Sequence, residues 1–157
     1  MTKTLSTKSV SPASLPPKSR KTDNYVPVPV QYHQLTPTRR LAYRKFEGTQ
    51  EPTIFYIPGF FSTMELNKVV ILEKYARANG FSNLRYDQEC SGKSTGDQKT
   101  IEFSHWFEDA MAMLDNHTTG PVIVVASPLG CWIATLMAQE RPERISGCFL
   151  KFRICSY

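Results

Sequence analysis

Residues 124–132 read Val-Val-Ala-Ser-Pro-Leu-Gly-Cys-Trp. An apolar, strand-like run turns abruptly into a helix-like segment, the setting in which the pattern G-x-S-x-G presents a serine hydroxyl for attack on a carbonyl. Aligned on Gly130, the pattern puts the nucleophile at 128, where Pro128 stands, with Ser127 one place early. Proline carries no hydroxyl, so acyl transfer through that position is closed. Its ring also holds φ near −65°, which suits the first residue of a helix rather than the strained turn of a nucleophile. Ser127 is therefore expected to be an N-cap, with a replacement nucleophile as its weaker alternative.

The partners of such a serine are equally short. In the order serine, acid, histidine, the chain after Pro128 offers Glu140 and Glu143 but no histidine. His105 and His117 precede it and are expected to be surface polar residues. Cys131 is expected to be a buried structural thiol and Ser94 a turn hydroxyl. Gly92-Lys93-Ser94 imitates the end of a phosphate loop, but G-x-x-x-x-G-K-[ST] needs glycine at 87 and Asp87 would repel phosphate. Cys90, Cys131, Cys148 and Cys155 lack C-x-x-C spacing, and His33, His105 and His117 are scattered. Neither a disulfide framework, a metal site nor a cofactor is expected.

The elements that must position these residues follow from periodicity. Arg40–Phe46 reads as an edge strand, Thr53–Ile57 as a central strand ended by Pro58-Gly59, and Leu84–Asp87, Pro121–Ala126 and Ile145–Leu150 as further strands. Helical spacing begins at Glu65 and stops at Asn79-Gly80, and recurs over Ile101–Leu114 and Leu129–Gln139. Strands alternating with helices imply an α/β fold with a mostly parallel sheet and helices on both faces. The three turns after the strands then share one rim.

Composition agrees: 157 residues, 41% hydrophobic and 21% charged, suffice for one folded domain. The apolar runs are of strand length, so no membrane span is expected. The net charge of +5 comes from the tail, since residues 1–22 hold Lys3, Lys8, Lys18, Arg20 and Lys21 without one acid. The balanced remainder offers no basic field, so no nucleic-acid partner is expected. Residues 1–38 read as a basic Ser/Pro-rich tail with an extended connector from Asp23 to Val30, and 39–157 as the domain. The tail composition fits either a disordered extension or a mitochondrial transit peptide, although Pro12, Pro16 and Pro17 interrupt a helix there.

Leu41-Ala42-Tyr43-Arg44-Lys45, Tyr56-Ile57-Pro58-Gly59-Phe60, Arg85-Tyr86-Asp87, Trp106 with Asp109, Gly120-Pro121, the 126–131 turn and Arg141-Pro142-Glu143-Arg144 occur in order. Together they resemble the α/β-hydrolase family of palmitoyl-protein thioesterases and mycophenolic acid acyl-glucuronide esterases, from about Arg40 to Leu150. The resemblance implies the N-terminal portion of an incomplete α/β-hydrolase fold, with oxyanion-hole amides at Phe60 and Leu129 and the nucleophile position at Pro128. It implies an acylated protein or a small-molecule ester as substrate. It further implies a mitochondrial location, with a cytoplasmic one as alternative. Lys151–Tyr157 departs from the family, as an altered or truncated terminus would. The expectation is a serine esterase or thioesterase relative that is itself inactive, or else a non-catalytic interaction or acyl-binding fragment.

Overall fold

The computed structural model describes residues 25–60 and 62–150. The basic tail and the divergent stretch 151–157, on which several of the expectations above fall, lie outside the described residues.

Strands β1 (Gln31–Gln34), β2 (Arg40–Phe46), β3 (Gln50–Ile57), β4 (Phe81–Tyr86), β5 (Val122–Ala126) and β6 (Ile145–Leu150) form one sheet in the order β1-β2-β4-β3-β5-β6. The first two pairings, β1 with β2 and β2 with β4, are antiparallel, and β4, β3, β5 and β6 run parallel. The crossovers are the helices α1 (Asn67–Ala78) and α2 (Phe103–His117), with α3 (Pro128–Glu140) leading into β6. A chain that steps from β3 to β4 on one side, then returns to β5 on the other, reverses direction at β3. Ligands of such sheets collect at the carboxyl ends flanking that reversal, here the turns after β3 and β5.

Three expectations are corrected. The sheet begins at Gln31, before the domain start expected at 39, because β1 pairs Gln31–Gln34 with Arg40–Tyr43. Arg40–Phe46 is accordingly not an edge strand, since it lies between β1 and β4. Strand pairing, which alternation within one segment does not reveal, decides this point. Helix α2 starts at Phe103 and runs to His117, shifted from 101–114.

The two faces of the sheet are built differently. Leu41, Tyr43, Phe55, Ile57, Leu84, Tyr86, Val122 and Val124 point one way, as strand alternation dictates. They join Ala110, Met113 and Leu114 of α2 and Ile133, Ala134 and Met137 of α3 in one apolar core. On the other face lies α1. There Arg85, fully buried, forms an ion pair with the equally buried Glu73 of α1 at 2.5 Å, and Glu73 also pairs with Arg77 at 2.5 Å. Arg85 further donates to the Met64 carbonyl at 2.5 Å and to the Tyr25 hydroxyl at 2.9 Å.

Candidate functional site

The turns after β3 and β5 touch. Val125 is the register partner of Tyr56 and Ala126 that of Ile57, so both strands end level. A Cβ on Gly130 would come within 2.8 Å of the Ile57 and Pro58 carbonyl oxygens, and one on Gly59 within 2.8 Å of the Ser127 Cβ. Only glycine at 59 and 130 allows this approach. It brings the Phe60 turn beside the first turn of α3, which contains Leu129. There the helix ladder offers the Leu129 N–H no acceptor.

Pro128 occupies the first helical position as expected, and Ser127 precedes it in an extended conformation, φ −83° and ψ 169°. Among the described residues Cys90 is the one non-glycine with positive φ, at 59°. The strained serine turn is therefore absent at 127–128. The capping role expected of Ser127 is corrected: it stands at the N-cap position, but its side chain makes no cap hydrogen bond. Instead the buried Ser127 Oγ lies 3.0 Å from the Tyr56 hydroxyl and accepts a hydrogen bond from Lys68 Nζ at 2.9 Å. Tyr56 is buried, and that burial raises its phenol pKa, so it stays a neutral hydroxyl.

Lys68 belongs to no sequence motif, and Tyr56 is read there only as part of Tyr56-Ile57-Pro58-Gly59-Phe60. Tyr56 was accessible to a register argument, because the residue level with Val125 on the neighbouring strand must lie close to Ser127. Lys68 was not, since it reaches Ser127 only through the placement of α1 over the sheet.

The histidines are held elsewhere, and neither is the simple surface residue expected. His105 Nδ1 lies 2.9 Å from a Glu89 carboxylate oxygen, and that carboxylate also pairs with Arg39 at 3.0 Å. Arg39 in turn holds Asp109 at 2.8 Å and Glu108 at 2.7 Å. Asp109 accepts the Glu89 N–H at 2.7 Å. Burial outweighs these partners and raises the Asp109 carboxyl to about 6. His117 Nε2 lies 3.1 Å from His33 Nδ1, and burial with the His33 charge lowers it to about 4. The two clusters tie β1, the β1–β2 turn and the loop after β4 to α2.

On the rim, Phe60 is exposed and packs edge-on against Trp106 with ring centroids 5.7 Å apart. The two help line a cavity of about 260 Å³ with Glu89 and Cys90. Cys131 is buried, with its thiol 3.8 Å from the Ala126 carbonyl, as expected of a structural residue. Ser94 donates to the Asp87 carbonyl at 2.6 Å and accepts the Ala42 N–H at 2.8 Å, which is a turn role. Asp87 accepts N–H groups of Met64 at 2.7 Å and Lys93 at 2.9 Å, so it organises loops rather than a phosphate. Among the described residues no cluster of three or more metal-ligating side chains occurs, and no helix is long and apolar enough to cross a membrane.

Compared with solved structures, the chain superposes on mouse alpha/beta hydrolase domain-containing protein 10 with a TM-score of 0.75 and 29% identity, over 78% of this chain and 49% of that one. The chain has the α/β-hydrolase fold in incomplete form. A putative hydrolase from Agrobacterium vitis gives a TM-score of 0.69 at 27% identity, over 78% of this chain and 52% of that one. In sequence the chain is 34% identical to the rat protein named palmitoyl-protein thioesterase ABHD10, mitochondrial, and 33% identical to its human counterpart, each over 105 residues and 67% of this chain. It spans about a third of the length of these relatives, 35% and 34% respectively. No family model matches. The α/β-hydrolase resemblance read from the ordered motifs, and the mostly parallel sheet expected from alternating strands and helices, are both found.

Proposed function

We propose that this chain is a serine-hydrolase relative that performs no ester or thioester turnover by an acyl-enzyme route. The observation that carries the reading is the β5–α3 turn: Pro128 stands at the nucleophile position, and the neighbouring Ser127 hydroxyl turns to Tyr56 and Lys68. Lys68 is the donor in its contact with Ser127, and an ammonium that donates does not accept the serine proton. The hydrogen bonds of the Ser127 hydroxyl go to Tyr56 and Lys68, while those of His105 and His117 go to Glu89 and His33, so neither histidine is paired with it. By resemblance, the amides of Phe60 and Leu129 would form the oxyanion hole. Such a hole stabilises a tetrahedral intermediate but does not create one without a nucleophile.

The substrate class of the fold's relatives, taken from the name palmitoyl-protein thioesterase, is an acylated protein, and by resemblance a small-molecule ester. The word mitochondrial in that name, with the basic tail, favours a mitochondrial location for this chain. Labelling with a fluorophosphonate probe tests the central reading. The chain and its Pro128→Ser variant should both stay unlabelled, while the mouse relative serves as the positive control. Stoichiometric labelling of the unmodified chain at Ser127 or Ser94, mapped by mass spectrometry, overturns it. A fluorescent C-terminal tag that remains diffuse in the cytosol, with Met1 retained, overturns the location.

A further inference from the structure

His33 and His117 are 84 residues apart in the sequence, yet their side chains meet. His33 lies on β1, the edge strand of the sheet, and His117 is the last residue of α2. His33 Nδ1 is 3.1 Å from His117 Nε2, the ring planes are perpendicular and the centroids are 4.9 Å apart. Tyr43, the register partner of Gln31 across the β1–β2 ladder, packs against His117 and donates its hydroxyl to Gln31 Oε1 at 3.1 Å. The same tyrosine thus holds the helix end and the strand. Both imidazoles are half-buried, so water reaches the pair.

We infer that His33 and His117 form a two-histidine site for a divalent transition-metal ion, zinc in the first instance, with water filling the remaining positions. The spacing of the nitrogens carries the inference. A metal bonded to both at about 2.0–2.1 Å subtends about 100° at the observed separation, between the right angle of neighbouring octahedral ligands and the tetrahedral angle. Strand and helix therefore stay in place while the two rings turn to aim their lone pairs at one point. Without metal, one of the facing nitrogens donates to the other. The outer nitrogens, His33 Nε2 and His117 Nδ1, have no hydrogen bond to a described residue, so the proton can move to them and free both inner lone pairs. The helix end supplies the sign of the ligand: the last carbonyls of α2 concentrate negative partial charge beside His117, which favours a cation. Lys45, the cation that acts on His117 from β2, is itself paired with Glu47 at 2.5 Å. Imidazole nitrogens select zinc, copper or nickel, whereas calcium and magnesium demand oxygen ligands that the pair does not bring. The site is built from β1 and α2 on the sheet edge opposite β6, and lies about 16 Å along α2 from Trp106. It stands whether or not position 128 supports turnover. A metal there clamps the four-residue β1 to the helix that covers the core.

Titration calorimetry with zinc on the full chain, stripped of metal by a chelator, tests the inference. Zinc should bind at one equivalent, and magnesium should not bind. His33→Asn and His117→Asn should each weaken zinc by more than about tenfold, since loss of an outer partner of a metal ligand alone brings that much. Zinc should also raise the melting temperature of wild type and leave both variants unmoved, because a ligand held only by the folded chain stabilises it by mass action. Both side chains are half-exposed, so the variants are expected to fold. A measurement on wild type alone gives a second route: zinc should protect His33 and His117 from diethyl pyrocarbonate, as mapped by mass spectrometry. Zinc held by Cys90 or Cys148 would survive both substitutions, and equal affinity in wild type and the two variants overturns the assignment. Weakening by only one substitution overturns it as well, since the geometry requires both rings. So does a folded chain that binds no zinc, or one in which zinc leaves the modification of both histidines unchanged.

Discussion

The two faces of one sheet solve the burial problem in opposite ways. Beneath α2 and α3 the strands present Leu, Ile, Val, Phe and Tyr to helices that present Ala, Met, Leu and Ile, and the contact is apolar throughout. Beneath α1 the centre is the Arg85–Glu73 ion pair, and the described residues leave the flank over β5 and β6 open. Dispersion and desolvation of apolar surface are forgiving of small shifts, whereas a buried charge tolerates no loss of its partner. The first face therefore holds the domain together, and the second fixes where α1, and with it Lys68, must sit.

The most severe way to break this contrast is to remove one charge from the α1 face. Arg85→Leu leaves the buried Glu73 carboxylate with Arg77 as its remaining cation and should cost about 3 kcal/mol in urea denaturation. Replacing the pair together, Arg85→Leu with Glu73→Leu, should recover most of that loss. Should the double variant be as unstable as the single, the pair is not what organises this face.

On the apolar face the penalty is one of packing. Ile133→Val removes a methylene from a fully buried helix residue and should cost about 1 kcal/mol by the same measurement. A smaller, pH-dependent effect belongs to His117, whose ring packs tilted against Tyr43 with centroids 4.2 Å apart beside the same core. Its folded pKa is about 4, below the ordinary 6.5. Between those values the unfolded chain binds more protons than the folded one. The group thus contributes stability above about pH 6.5 that is lost as pH falls towards 4. His117→Phe should therefore lose less stability than wild type on acidification from 6.5 to 4, read as melting temperature across that range. An identical slope in the two proteins removes His117 as the cause. The smallest effect is expected where the sheet is open: Phe149→Ala, already 66% exposed, should change stability by no more than about 0.5 kcal/mol.

Much of this was legible in the residues. Val122–Ala126 is apolar and β-branched, Pro128 suits a first helical position and nothing else nearby, and the motif order from Leu41 to Arg144 carried the fold. These signals are local, and each follows from one segment's own period or backbone restriction. What escaped depends on pairing between distant segments. The short strand Gln31–Gln34 has no apolar alternation and exists because β2 offers it an edge. The hydroxyl of Ser127 looked like a cap because that is its local option, and it is drawn away by Tyr56 and Lys68, which only the sheet register and the seating of α1 bring near. His105 and His117 looked like surface residues for the same reason, as their partners Glu89 and His33 come from other elements.

The register of β3 with β5 has a bearing on how the chain is made. Ile54 pairs with Ile123, so the ribosome must deliver α1, β4 and α2 before the second edge of β3 finds its neighbour. During that interval Ile54, Phe55 and Ile57 stand in a strand paired on one side only, in a nascent chain whose later elements do not yet exist. A strand in that condition is a template for intermolecular pairing. Of the parallel strands, β3 therefore waits longest for its second neighbour.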